Sequence, residues 1–447
     1  MPRPRAPEAP APAPRAEIPR VPLRPAGSPP ATTRVVVRFA PTVPLDEQER
    51  RVRAAGGRRL IPARFAGFSR VPVPRGADPE AVAARLRRED GVVWAEPDRP
   101  CRSFARSVHA AATFDDPLLP LQWHHTRIRL LETFDRNAPR GRNVIVAIVD
   151  TGVAFGDGGS FPSRRGVDLA GASFVPGFDF VDDDPLAHDE GSALDPDDPD
   201  SARFGHGTFA ASQIVAVAGN GTGGIGIAPN VTIMPLRVLG LDGFGFFSDV
   251  AEAVDFAVAG GASVINLSLG GEEASTPVDE AIRRATDRGV LIVAAAGNEA
   301  TEPEPPADVS FPARHPEVLA VGATDFFGNR AAYSNRGTGL DLMAPAGGNN
   351  ELVDGNVRDG TLAASFVVQA DGSNPSYGHF FATGTSFAAP QVAGVAALLA
   401  SLGVRDGAGL RILLLETVTD RGARGFDTDF GLGELDALRA HLGVGFN

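Results

Sequence analysis

Four polar residues stand at points where an apolar run stops or starts: Asp150, His206, Asn298 and Ser386. Their side chains are those that acyl transfer needs. A serine hydroxyl is a weak nucleophile until a base takes its proton, an imidazole is the usual base, and a carboxylate orients that imidazole. An amide N–H2 can donate to the oxyanion that forms when the hydroxyl adds to a carbonyl. Each residue also has an ordinary structural reading. Asp150 precedes Gly152 and suits a turn, and His206 or Thr208 could cap a helix. Asn298 follows Gly297 in a turn, and Ser386 sits where a helix cap belongs. Taken singly, none decides.

The surrounding pattern says what holds them. From 116 onward, apolar strands alternate with helices, which predicts an α/β fold with a mostly parallel central sheet covered on both faces. Strands are expected at Asn143–Val149, Val231–Val238, Ser263–Leu269, Val290–Ala296 and Val318–Gly322. Helices are expected at Phe209–Ala218, Asp249–Ala259, Pro277–Arg288 and Gln391–Ala400, with shorter ones at Leu410–Glu416 and Glu434–Leu442. Ligands of open α/β sheets bind beyond the carboxyl ends of the strands. Asp150 and Asn298 fall at such ends, and His206 and Ser386 at helix starts. Pro390 reads as several residues into the last helix, where it would leave the Ser386 carbonyl without its usual partner.

The first hundred residues are different in kind. They carry 19 Arg against 11 acids, whereas the rest carries 23 Arg against 44 acids, and the chain has no lysine. The basic segment has a nearer partner in the acidic remainder than in nucleic acid or membrane. Residues 1–32, with 11 prolines in the first 30 positions, are expected to be extended and disordered, and they lack the apolar h-region of a signal peptide. Residues 33–100 read as a β-α-β-α-β unit of marginal size that needs a partner surface. Residues 101–115 show no periodicity and read as an exposed linker, with Cys101, the sole cysteine, as an incidental thiol. No apolar run reaches the roughly 18 residues needed to span a bilayer.

The four positions lie in the contexts Val149-Asp150-Thr151-Gly152, Gly205-His206-Gly207-Thr208, Ala295-Ala296-Gly297-Asn298 and Gly384-Thr385-Ser386-Phe387-Ala388-Ala389-Pro390. In this order they resemble the subtilisin-like serine proteases, over about Asp116 to Leu442. The resemblance implies a three-layer subtilisin-like fold and a serine endopeptidase acting on proteins or peptides. Ser386 would be the nucleophile, His206 the base, Asp150 its orienting acid and Asn298 an oxyanion donor. Ser268-Leu269-Gly270 matches the family's substrate-pairing strand, and Gly297 and Glu299 flank the specificity pocket. Residues 33–100, ending Trp94-Ala95-Glu96-Pro97-Asp98, resemble the family's ferredoxin-like inhibitory propeptide, which implies a zymogen, self-cleavage in the 99–115 linker, and secretion as a monomer.

The resemblance implies no cofactor for catalysis but allows structural calcium, with Asp116 and Asn220 as candidate ligands. The acidic runs Asp182–Asp184 and Asp195–Asp200 offer further oxygen donors. His379 reads as a packed or exposed strand residue. A catalytically silent peptide-binding module and an esterase or amidase remain as rivals at this point.

Overall fold

The computed structural model describes residues 33–103, 107–110, 118–134, 140–195, 198, 200–300, 308–348 and 359–444. The segment 1–32, much of the expected linker, part of the second acidic run and Asp116 lie outside them.

Seven parallel strands form the central sheet, in the order Leu342–Pro345, Val318–Thr324, Leu291–Ala295, Val264–Leu267, Ile145–Asp150, Thr232–Arg237 and Ser173–Phe174. The short strand Phe178–Asp179 also pairs with Thr232–Arg237. The chain starts in the middle at Ile145–Asp150, goes to one edge at Ser173–Phe174, returns with Thr232–Arg237 beside the first strand, then crosses over and builds outward to the other edge. That reversal opens a crevice at the carboxyl end of the starting strand.

Side-chain alternation aims Asp150. Successive strand residues face opposite sides. Val146 and Ile148 enter the core layer that holds Ala211, Ile214, Val392 and Val395. Ala147 and Val149 enter the other layer, with Val250, Val254, Val278 and Ile282. Asp150 shares the parity of Val146 and Ile148, so it turns toward the helices His206–Val215 and Ala389–Ser401.

The helix after Ser386 corrects the sequence reading. Thr385–Phe387 is a separate 3-10 turn, and the α-helix proper starts at Ala389. Pro390 therefore sits in the first turn, where a missing N–H is no loss. The Ser386 carbonyl is satisfied from outside the helix, by the Ser268 hydroxyl at 2.7 Å.

Residues 33–97 form an antiparallel sheet, ordered Ile61–Pro62, Ser69–Pro72, Arg34–Phe39 and Val92–Pro97, beneath the helices Leu45–Ala55 and Pro79–Leu86. Strand Arg34–Phe39 divides its valines by the period of two. Val35 and Val37 pack with Val52, Val82 and Leu86 in the unit's own core. Val36 faces the other way and joins Phe68 in the larger body's core.

This docked surface is also charged. Arg70 Nη2 lies 3.1 Å from Asp249 and 2.7 Å from Glu252, and Arg38 Nη1 lies 2.6 Å from Glu280. The helices Phe247–Ala259 and Thr276–Asp287 lack a capping side chain at their own N-cap positions. The small unit supplies both caps. Asp98 accepts from Ser248 N at 3.2 Å, and Glu96 accepts from Thr276 N at 2.8 Å. A carboxylate at a helix start is worth about 0.5–2 kcal/mol.

The segment read as an unstructured linker contains two strands. Pro100–Ser103 lies antiparallel between Phe244–Phe246 and Leu269–Gly270. Ser107–Ala110 pairs antiparallel with Phe380–Thr383, beside Thr361–Val368 in a five-stranded sheet. Their partners lie more than a hundred residues away, so local pattern could not reveal them. Cys101 is buried, not exposed.

Candidate active site

His206 opens its helix directly after Gly205, and no side chain caps that start. Its Nδ1 lies 2.7 Å from Asp150 Oδ1, and both residues are buried. Asp150 Oδ1 also accepts from Thr151 N at 2.7 Å, which fixes the carboxylate. Gly207 makes the approach possible, because a Cβ there would meet the Gly152 carbonyl at 2.2 Å. His206 Nε2 has no hydrogen-bond partner among the described residues. It is thus held by one nitrogen and presents the other, as a general base must.

Ser386 lies on the turn next to that imidazole, with the ring of Phe387 5.0 Å from the ring of His206. Gly384, at φ +137°, makes the bend that a side chain would strain. Ser386 Oγ donates to the Ser268 carbonyl at 2.9 Å, while Ser268 Oγ donates to the Ser386 carbonyl. The pair ties the Ser386 turn to the strand end at Leu267.

Asn298 follows strand Leu291–Ala295, and its Oδ1 accepts from both Thr385 N at 3.0 Å and Thr385 Oγ1 at 2.9 Å. Two donors on the oxygen fix the amide's flip, so Nδ2 points away from Thr385. Thr385 Oγ1 in turn accepts from Gly297 N at 3.1 Å. Asn298 and Ser386 are therefore coupled through one residue. Glu299 is held the same way. Its Oε2 accepts from Asn298 N at 2.9 Å and Asn335 Nδ2 at 2.7 Å, and its Oε1 faces Arg102 Nη2 at 2.5 Å.

Arg102 belongs to the strand seated in the cleft. The register pairs it with Phe244 on one side and Gly270 on the other, and pairs Ser103 with Leu269. Ser268, Leu269 and Gly270 are thus brought to one strand edge beside Ser386, and that edge is occupied by the chain's own backbone. Cys101 shares its core with Phe247 and Leu269, and burial pushes its thiol well above the usual range. A thiol so suppressed is no nucleophile.

Residues 141–433 match the profile of the Subtilase family. The chain belongs to the subtilase family. It is 35% identical over 304 residues to alkaline elastase YaB of a Bacillus species, a match covering 67% of this chain and 65% of that protein. It is 30% identical over 407 residues to the thermophilic serine proteinase of Bacillus sp. strain AK1, covering 91% of this chain and 86% of the relative. The solved structure of a protease from Pseudoalteromonas arctica superposes with a TM-score of 0.62 at 30% identity, covering 74% of this chain and 100% of that one. The three-layer fold is the subtilase fold.

Calcium, which the family allows, does not suit the described residues of this subtilase. Asp116 lies outside them. Asn220 is exposed, and its Oδ1 accepts from Thr222 N at 2.9 Å within its own loop. The buried carboxylate that reaches this loop is Asp168, whose Oδ2 lies 2.6 Å from His379 Nε2 and accepts from Gly224 N at 2.9 Å. Gly223 packs on the pair so closely that a Cβ would meet Asp168 Oδ2 at 1.8 Å and His379 Nε2 at 2.3 Å. Imidazole and backbone thus hold the carboxylate that reaches this loop. His379 is thus neither merely packed nor exposed, a correction that its sequence neighbours could not supply, since Asp168 is 211 positions away. In the acidic runs, Asp182 is paired with Arg237 at 2.6 Å, and no group of three or more His, Cys, Asp or Glu side chains among the described residues is arranged to hold a metal.

Three contributors to this corner were not singled out from sequence. Phe244–Phe246 forms the second wall of the strand slot. Asn335 fixes Glu299. Asp189 is fully buried between the strand that ends in Asp150 and the helix that begins at His206. All three come from stretches without periodicity, where only polar residues flanked by glycine hint at function.

Proposed function

We propose that this chain is a serine endopeptidase made as a zymogen, whose 33–103 unit fills the cleft until the chain cuts itself between Ser103 and Ser107. The observation that carries the reading is one stretch of chain pairing on both sides of Ser386. Upstream, Pro100–Ser103 pairs with Leu269–Gly270. Downstream, Ser107–Ala110 pairs with Phe380–Thr383, which leads into Gly384-Thr385-Ser386. The two paired segments bracket the turn of Ser386, so the expected cut lies between Ser103 and Ser107.

Ser386 Oγ leaves its contact with the Ser268 carbonyl and attacks the substrate carbonyl, passing its proton to His206 Nε2. Asp150 holds Nδ1–H and stabilises the imidazolium that forms. Asn298 Nδ2 and the Ser386 N–H meet the oxyanion. Loss of such a side-chain donor costs about 10²–10³ in kcat, a magnitude established on subtilisin rather than derived from this site. The tetrahedral species collapses as His206 protonates the leaving amine, and water then releases the acyl group by the same route. No cofactor enters these steps.

Substrates bind as an added strand between Phe244–Phe246 and Leu269–Gly270, so recognition rests on backbone pairing and tolerates many sequences. Glu299 biases it toward a basic side chain opposite Gly270, the position Arg102 holds in the zymogen. A cleft kept filled until processing suits a secreted, monomeric enzyme.

The test is Ser386→Ala in a protease-free host. This variant stays full length, whereas the parent is trimmed to a new N-terminus within 104–107 and digests casein. Trimming of the variant at the parent's rate, or a parent that ignores both casein and a fluorophosphonate, overturns the reading.

A further inference from the structure

We propose that Asp189 is a positioning residue that locks the Asp150 strand end to the His206 helix and so sets the geometry of the catalytic pair. The inference rests on the triad reading above. Asp189 has no exposed surface, and both of its oxygens are fully used. Oδ1 accepts from Thr151 Oγ1 at 3.0 Å and from Gly191 N at 2.9 Å. Oδ2 accepts from Thr208 Oγ1 at 2.6 Å and from Thr208 N at 2.9 Å.

The two threonines are what make this a lock. Thr151 follows Asp150, and Thr208 lies two residues after His206. Thr151 Oγ1, while donating to Asp189, accepts from Gly207 N at 2.9 Å. Thr208 Oγ1, while donating to Asp189, accepts from Ala154 N at 2.9 Å. Each hydroxyl therefore reaches across: the strand-end threonine holds the helix backbone, and the helix threonine holds the backbone after the strand. Asp189 accepts from both and fixes the direction of both hydroxyl protons. Only an ionised carboxylate has the four acceptor sites that this arrangement uses.

Such a group is maintained at a cost. Burial raises Asp189 to about 6, against the pull of the hydrogen bonds from Thr208 and Gly191. The charged groups facing it are Asp150, whose field raises it further, and Arg203 from the adjoining strand. A carboxylate serving packing alone could be replaced by an apolar side chain, whereas here every donor belongs to a residue within two positions of the catalytic pair or to the carboxylate's own turn.

Asp189→Asn presents an amide N–H2 to donors on at least one side. The expected result is a kcat lower by about 10²-fold with KM within about threefold, and a fluorophosphonate reaction of Ser386 slowed in proportion, because a 1 Å displacement of a catalytic group has that effect. If Asp189→Asn does not fold, Thr151→Val removes one arm and lowers kcat about tenfold, the size of one hydrogen bond, and Thr151→Ser restores it. A folded Asp189→Asn enzyme with parental kcat overturns the proposal, as does a Thr151→Val enzyme that loses only thermal stability. A parent without activity or fluorophosphonate reaction instead overturns the triad reading beneath it.

Discussion

Two carboxylate–imidazole pairs sit in the same body with nearly the same contact. His206 meets Asp150 at 2.7 Å and His379 meets Asp168 at 2.6 Å, and each aspartate is buried. They differ in which nitrogen is used. His206 gives Nδ1 to its carboxylate and keeps Nε2 beside the turn of Ser386. His379 gives Nε2 to Asp168 and lies against the glycine loop 219–224. A close His–Asp pair therefore does not mark a catalytic base. What the second nitrogen faces, and whether an oxyanion donor is coupled to it, marks one.

The largest effect separates the pairs directly. His206→Ala should lower kcat by on the order of 10⁶, the scale known from subtilisin for losing the base. His379→Ala should keep kcat within about threefold and lose about 1–3 kcal/mol in denaturant titration, as expected when a buried acid loses one of its partners. Comparable activity losses in the two variants would break the comparison. Next, Asn298→Ala should lower kcat by about 10²–10³ with little change in KM. A change confined to KM would mean that the amide binds substrate rather than the oxyanion.

A third pair, Arg70–Glu252, extends the comparison to a contact that the proposed activation would break. Burial raises Glu252 to about 7, with the arginine pulling the other way. An acid raised on folding contributes stability that is present at low pH and is lost as pH climbs from about 4.5 through 7. In the Ser386→Ala zymogen, Glu252→Gln should flatten the pH dependence of the unfolding free energy by up to roughly 3 kcal/mol between pH 5 and 8. No difference between the two chains over that range would mean that folding does not raise Glu252. The smallest effect concerns choice among substrates. Glu299→Gln should reduce kcat/KM about tenfold for peptides with arginine opposite Gly270, relative to matched alanine peptides, since one charge-assisted hydrogen bond is lost. Equal losses on both peptides would assign Glu299 to holding the loop.

The contrast also explains what could be read in advance. Asp150, Asn298, His206 and Ser386 stand out because apolar runs end or begin at them, and a buried strand writes its boundaries locally. The strands Arg34–Phe39 and Ile145–Asp150 follow from the same signal. His379 was misjudged because its meaning lies in a partner far away in sequence. Asp189 stayed unseen within a stretch where turns are set by hydrogen bonds rather than by periodic burial. The strands at 100–103 and 107–110 pair with edges that only the finished body provides, so short runs such as Pro100-Cys101-Arg102-Ser103 carry no signature of their own.

Burial of Cys101 has a practical corollary. It is the sole sulfhydryl in the chain, and it lies upstream of the expected cut, buried in the core that also holds Phe247 and Leu269. While the slot is filled it is hidden from alkylating and disulfide reagents, and the proposed cut would release it with the small unit. The intact protein thus carries a single-atom gauge of occupancy, and the body that the proposed cut would leave has no cysteine for oxidants to attack.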